Sequence, residues 1–318
     1  MKLKDLYVGL DLGGTFTKYA VGTADGFLLY HNKKRSMSDK GQSEIFNNIF
    51  ALIEELQEKA KELQGEIKAI GFGSPGAINF DEGRLIGSTP NIKSWTDADI
   101  RGNIESKFNL PTWVDNDANV MVFAEARQGA AKGEKNVTAL TLGTGIGGGV
   151  LINNQVYRGD HFAGSELGHM SINFNGPRCD CGGIGCIEQY ASAPAMERNY
   201  EKKLSMAKKS IPNDLSTVTI FDRAAEGEKE AIDTIDDTAI YLGTALANIA
   251  NIFNPAVIVI GGGVSAAGEV FIDKIDAEMR RRAMPPSVRH LRVVAAKLGN
   301  SAGMIGAISL AAEMYAKR

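Results

Sequence analysis

Apolar and polar positions alternate from Leu6 to Leu12, and the run breaks at Gly13-Gly14-Thr15. Two-residue alternation stopped by glycine predicts a strand and a tight turn. A second strand from Lys18 to Val21 follows, then a turn at Asp25-Gly26 and a third strand through Tyr30. From about Ser43 to Leu63 the period lengthens, and Ile45, Ile49, Ile53, Leu56 and Leu63 mark one face of a helix. Ala69 to Phe72 predicts a buried strand ending in Gly73-Ser74-Pro75-Gly76-Ala77. An irregular stretch containing Asn91 and Trp95 comes next. The strand predicted over Thr112 to Asp115 then runs straight into Asn116-Asp117-Ala118-Asn119 and a helix reaching about Gln128.

The pattern then starts again. Val137 to Leu142 reads as a strand, Gly143-Thr144-Gly145-Ile146-Gly147-Gly148-Gly149 as a glycine turn, and a strand from Val150 meets a turn at Asn153-Asn154. Leu10-Asp11-Leu12-Gly13 and Leu140-Thr141-Leu142-Gly143 hold corresponding places. A spaced repeat of this kind predicts two related domains facing each other. The last third is mostly helical, with a long helix from about Glu228 to Asn251 and a closing helix from about Ser301 to Ala316. Between them a buried strand, Ala256 to Ile260, ends in Gly261-Gly262-Gly263-Val264-Ser265. No low-complexity linker separates the halves, so their boundary is expected to be a hinge.

Composition narrows the function classes. With 318 residues and a net charge of −3, the chain has a large core and no basic footprint for nucleic acid. Lys33-Lys34-Arg35 and Arg280-Arg281-Arg282 are short basic runs, read as solvated faces. Neither a secretory leader nor a spanning segment is evident, and the odd cysteine count argues against a disulfide scaffold. A cytoplasmic protein that uses no membrane is expected.

All three cysteines, Cys179, Cys181 and Cys186, fall in one glycine-rich stretch, with His169 just upstream. Three thiolates and an imidazole complete a closed tetrahedral shell, so a structural Zn²⁺ is predicted over buried packing cysteines or a redox Cys-x-Cys. Glu166 and Glu188 bracket the knot, which would present both carboxylates to a ligand. Strands ending in glycine turns after Leu12, Leu142 and Ile260 could aim consecutive amides at phosphate oxygens. Asp11, beside the first turn, could hold Mg²⁺ through water, with Thr15 bonding a phosphate oxygen and Lys18 offsetting its charge. Asp11 as a turn residue and Lys18 as a surface lysine are the plainer readings. Neither a Walker A sequence nor a dinucleotide fingerprint is present. Asp117 opens a helix, where the N-terminus stabilises its anion, and could take a proton from a substrate hydroxyl. Against this stands a capping role for Asp117 or Asp115, but Asn116, Asp117 and Asn119 offer more polar groups than one cap needs.

These residues resemble the ROK family of repressors, open reading frames and sugar kinases, within the actin-like, hexokinase-type ATPases, over essentially the whole chain. Asp11-Leu12-Gly13-Gly14-Thr15 and Gly143 to Gly149 resemble its two phosphate motifs, and Gly261 to Ser265 its adenosine motif. Glu166-Leu167-Gly168-His169 with Cys179 through Glu188 resembles its zinc and sugar signature. Phe16 stands where other members carry Lys or Thr, and Ser165 replaces a more usual alanine or glycine. The resemblance implies an α/β fold of two actin-like (ribonuclease H-like) domains, with a nucleotide and sugar cleft between them. The smaller domain would comprise residues 1–117 plus 302–318, and the larger residues 118–301. It implies Asp117 as catalytic base, and Asn91, Asn116, Glu166, His169 and Glu188 as sugar contacts, His169 also ligating zinc. It implies ATP and Mg²⁺ held by Asp11, Gly13, Gly14, Thr15, Lys18, Gly143, Thr144, Gly145, Gly147, Gly261, Gly262 and Gly263. The activity implied is ATP-dependent phosphorylation of a hexose, glucose at its 6-hydroxyl, by a dimer or tetramer. The alternatives are a kinase of the same family for N-acetylmannosamine, N-acetylglucosamine, fructose, mannose or allose, a sugar-binding protein with lost catalysis, and a sugar-sensing regulator. Against the regulator, the first phosphate motif begins within a dozen residues of Met1, leaving no room before it for a helix-turn-helix.

Overall fold

The computed structural model describes residues 3–89, 92–263 and 268–318. Two compact units form. Unit 1 combines Met1–Lys132, Val156–Gly164 and Asn300–Arg318, and unit 2 combines Gly133–Gln155 and Ser165–Gly299.

In unit 1, β1 (Lys4–Leu12), β2 (Phe16–Gly22) and β3 (Leu28–Arg35) form an antiparallel meander. The third strand runs past Tyr30 because Lys33 and Lys34 continue the register on an edge strand, where exposed lysines discourage further pairing. Helix α1 (Gln42–Glu62) leads to β4 (Gly65–Ser74), parallel to β1. The stretch expected to be irregular holds two short hairpins, β5 (Ile78–Asn79) with β6 (Arg84–Leu85) and β7 (Ser88–Thr89) with β8 (Ile92–Thr96). Trp95 is the reason: its ring is fully buried and its indole N–H donates to Ser74 Oγ at 3.1 Å, pinning the second hairpin to the end of β4. Helix α2 (Ile100–Phe108), capped by Asp99, precedes β9 (Thr112–Asn116), and α3 (Asp117–Gln128) follows without a break.

The sheet order is β3-β2-β1-β4-β9. On one face the α1 stripe Ile45, Ile49, Leu52, Ile53 and Leu56 packs on Leu6, Val8 and Leu10, all fully buried. Each such side chain contributes roughly 1.5–3 kcal/mol of burial free energy. The other face takes the C-terminal helix (Ala302–Ala316), whose Met304, Ile308 and Ala311 meet Tyr7, Ala20 and Ala69. The approach is so close that a Cβ on Gly71 would lie 1.8 Å from the Ala307 carbonyl oxygen. On the same helix a Cβ on Gly306 would lie 2.1 Å from the Val120 carbonyl oxygen, so the helix also locks α3 in place.

Unit 2 repeats the plan. Strands β10 (Val137–Leu142), β11 (Ile146–Ile152), β12 (Gln155–Val156), β13 (Val257–Gly261) and β14 (Arg292–Ala295) form a sheet of order β12-β11-β10-β13-β14. Strands β10 and β11 are antiparallel, while β13 and β14 run parallel to β10, as β4 and β9 do to β1. Helices α4 (Glu188–Ala191), α5 (Ala193–Met206), α6 (Thr217–Ala225), α7 (Lys229–Phe253), α8 (Glu269–Arg280) and α9 (Pro285–Val288) build its core around Leu242, Leu246 and Ile249. The duplicated α/β architecture is the actin-like one that the resemblance implies. No helix among the described residues is long and apolar enough to cross a membrane.

Candidate functional site

In unit 1 the parallel strands β1, β4 and β9 end together. Asp11 pairs in register with Gly73, and Gly73 with Asp115, one row at the carboxyl end of the sheet. Asp11 and Asp115 thus stand two strand spacings apart, about 10 Å. The row ends where ligands gather in open α/β sheets. Burial pushes the Asp11 carboxyl above its ordinary range, and Lys18, 3.7 Å away, pulls it back in part. A Cβ on Gly303 would lie 2.3 Å from Asp11 Oδ2, so the acid packs on the first turn of the C-terminal helix, a favourable place for an anion.

The first glycine turn is tied down from behind. Gly13 N–H donates to the Phe16 carbonyl at 3.1 Å, while Ser36 and Ser38 hydroxyls donate to the Gly13 and Gly14 carbonyls at 2.6 and 2.5 Å. With the carbonyls held, the amides of Gly14 and Thr15 keep no partner among the described residues. Ser36 and Ser38 carried no signal in the sequence beyond being polar residues after a strand.

Asn116 caps α3: its Oδ1 accepts from Ala118 N at 2.9 Å and Asn119 N at 3.3 Å, and its Nδ2 donates to the Gly76 carbonyl at 3.0 Å. Capping therefore belongs to Asn116, with Asp115 bracing it: Asp115 Oδ1 accepts the Asn116 amide at 2.8 Å. Asp117 is exposed in the first helical turn, its Oδ1 accepting the Ala118 amide at 2.9 Å. Asn91 lies outside the described residues.

In unit 2, His169, Cys179, Cys181 and Cys186 bring their donor atoms within 4.8 Å of one another. Cys181 and Cys186 sulphurs are 3.6 Å apart and Cys179 Sγ is 3.7 Å from His169 Nδ1. A disulfide needs about 2.05 Å. Tetrahedral zinc with bonds of about 2.3 Å to sulphur needs edges of about 3.8 Å, so the donor set fits that ion. Burial, then the neighbouring thiols, push the Cys186 thiol up to about 12, and a cation at the centre is what would let all three ionise together. The backbone is built for it: Gly182, with φ +90°, donates to the Cys179 carbonyl, and Cys179 N to the Gly183 carbonyl, both at 2.9 Å.

The knot also reaches the second glycine turn. Glu188, two residues beyond Cys186, accepts the Ile146 amide on Oε2 at 2.8 Å. Within that turn Gly143 N–H donates to the Gly145 carbonyl and Gly147 N–H to Thr141 Oγ1, leaving the amides of Thr144 and Gly145 without a partner among the described residues. Beside it ends β13: Gly261 pairs with Thr141, and a Cβ on Gly262 would lie 2.2 Å from the Leu142 carbonyl oxygen. Gly263 faces open space, while Val264 and Ser265 lie outside the described residues. Glu166 is open to solvent, yet the protein around it raises its carboxyl above the usual range; Glu188 adds to this and His169 opposes it. Ser165 is buried at φ +67°, in the left-handed region that glycine adopts without strain.

The sequence model of the ROK family matches residues 7–314. The chain belongs to the ROK family. It is 33% identical to a glucokinase of Thermotoga maritima, covering 96% of this chain and 97% of that one. A putative xylose repressor of Caldicellulosiruptor is 30% identical over 96% of this chain and 77% of its own length. Among solved structures, a ROK glucokinase from Streptomyces griseus in complex with glucose and AMPPNP superposes with a TM-score of 0.82 at 32% identity, covering 97% of this chain and 99% of that one. ROK membership thus spans kinases and repressors, and the site residues must decide between them.

Proposed function

We propose that this ROK chain is an ATP-dependent hexose kinase that phosphorylates glucose at its 6-hydroxyl. What carries the reading is full-length similarity to glucokinases in a chain that also has an acid, Asp117, at a helix start beyond a strand end. The base and the first phosphate turn lie in unit 1; the second turn, the adenosine motif and the sugar-orienting acids lie in unit 2. Asp117 takes the hydroxyl proton as the oxygen attacks in line. Glu166, His169 and Glu188 orient the sugar hydroxyls, as does Asn116, with Asn91 as a further sugar contact. The amides of Gly14, Thr15, Thr144 and Gly145 face the phosphates. Asp11 is the acid available to hold Mg²⁺ through water, and the ion when bound offsets phosphate charge. His169, Cys179, Cys181 and Cys186 hold structural zinc.

The repressor relatives favour a second reading, a sugar sensor without turnover, but a sensor has no use for both Asp11 and Asp117. One experiment separates these readings: ADP release with ATP and Mg²⁺ over glucose, mannose, fructose, allose, N-acetylglucosamine and N-acetylmannosamine. Glucose-dependent ADP release is expected. Sugar binding without ADP release would establish the sensor and sink the kinase; turnover with another sugar alone would move the substrate.

A further inference from the structure

Between Gln155 and Ser165 the chain leaves unit 2, and residues Val156–Gly164 pack within unit 1. This excursion is closed at its neck, where Gly164 N–H donates to the Arg158 carbonyl at 2.8 Å. From it Arg158 reaches Asp115, which is only 2% exposed, with Nε at 3.0 Å and Nη2 at 2.5 Å from Oδ2. The guanidinium lies 3.7 Å from the centre of the Phe80 ring, a cation–π contact that fixes its plane. The other oxygen of Asp115 accepts the Asn116 amide at 2.8 Å and Asn119 Nδ2 at 3.0 Å. The carboxylate is thus fully used, half on Arg158 and half on the first turn of α3.

We propose that Arg158 is a positioning residue: through Asp115 it fixes the strand end and helix start from which Asp117 projects. This rests on the kinase reading for its catalytic meaning. Without Arg158 the Asp115 carboxylate is buried with no counter-charge and must turn towards water, releasing Asn116 and Asn119. Asp117 would then be free to shift, and a misplacement of about 1 Å can cost on the order of 100-fold in rate.

The test uses Arg158→Ala and Arg158→Lys. Expected for R158A is a kcat lower by about 10- to 100-fold, with sugar affinity by calorimetry weakened far less, because the Asn116 side chain keeps its own bonds to Ala118 and Gly76. Because Arg158 lines an open cavity of about 520 Å³, methylguanidinium should restore part of the lost kcat. R158K keeps the charge but not the planar contacts, so it should lose kcat less than R158A and gain nothing from methylguanidinium. If R158A does not fold, R158K carries the test by a loss of kcat that exceeds its loss of sugar affinity. Hydrogen exchange of the ligand-free protein is the independent arm: the amides of residues 116–119 should exchange faster in either variant while those of α1 do not. An unchanged kcat, or a loss matched by weaker sugar binding with no rescue, would overturn the inference. If wild type turns over no sugar, the kinase reading fails by itself, and unchanged exchange at 116–119 would overturn the Arg158 role.

Discussion

The contact between Glu188 and the second glycine turn can be tested with one methyl group. A Cβ on Gly145 would lie 2.5 Å from Glu188 Oε2 and 3.4 Å from its Cδ. Carbon and oxygen that are not bonded approach to about 3.3 Å, so the pair must separate by about 0.8 Å. The contact is with the far end of the Glu188 side chain, so the carboxylate swings aside while its backbone, two residues from Cys186, stays with the knot. The bond from Ile146 N to Glu188 Oε2, now 2.8 Å, would then stretch beyond useful range. A hydrogen bond to a charged acceptor contributes about 1.5–3 kcal/mol. At about 1.4 kcal/mol per tenfold, Gly145→Ala should lower kcat/KM for ATP by about 10- to 100-fold. Gly143→Ala, two residues earlier, places its Cβ where nothing lies within 4 Å and should lose far less. The assay is coupled ADP release at saturating glucose, with zinc measured by elemental analysis to show that the knot has survived. A Gly145→Ala enzyme with wild-type kcat/KM, or an equal loss in Gly143→Ala, would refute the reasoning.

Three further outcomes follow from the site. Asp117→Asn should lower kcat by about 10²- to 10⁴-fold while glucose still binds by calorimetry; retained turnover would remove Asp117 as the base. Cys181→Ala should lose about one zinc per chain and weaken glucose affinity, since Glu188 follows the knot; full metal content by elemental analysis would contradict the ligand set. Asp11→Asn should abolish phosphorylation yet raise Tm at neutral pH. Burial raises the folded pKa of Asp11 above its unfolded value, so the folded chain holds that proton more tightly. Stability is therefore lost as pH rises from the unfolded value, about 3.9, through the folded one, and Asn avoids the loss. Below about pH 4 the two proteins should melt together; a lower Tm for Asp11→Asn at neutral pH would reverse the sign and refute it.

Local sequence carried the parts of this molecule that neighbours in the chain decide. A strand stopped by two glycines, twice, disclosed the duplicated sheet, because hairpin turns are set by three or four adjacent residues. Three cysteines within one loop disclosed the donor cluster for the same reason. What stayed hidden depends on contacts between residues far apart. Arg158 lies in a stretch with no motif and meets Asp115 43 residues away; Glu188 meets Ile146 42 residues away. Gly71 looks like any strand glycine until the C-terminal helix is laid across it. Asn116 shows how the two levels interact. Its polarity was legible, but only its bonds to Ala118 and Gly76 show that it also caps the helix and ties it to the loop after β4. That leaves Asp117 as the acid on this turn whose side chain is exposed. A helix start capped by the preceding residue leaves the next carboxylate exposed, which the proposed proton transfer requires of Asp117.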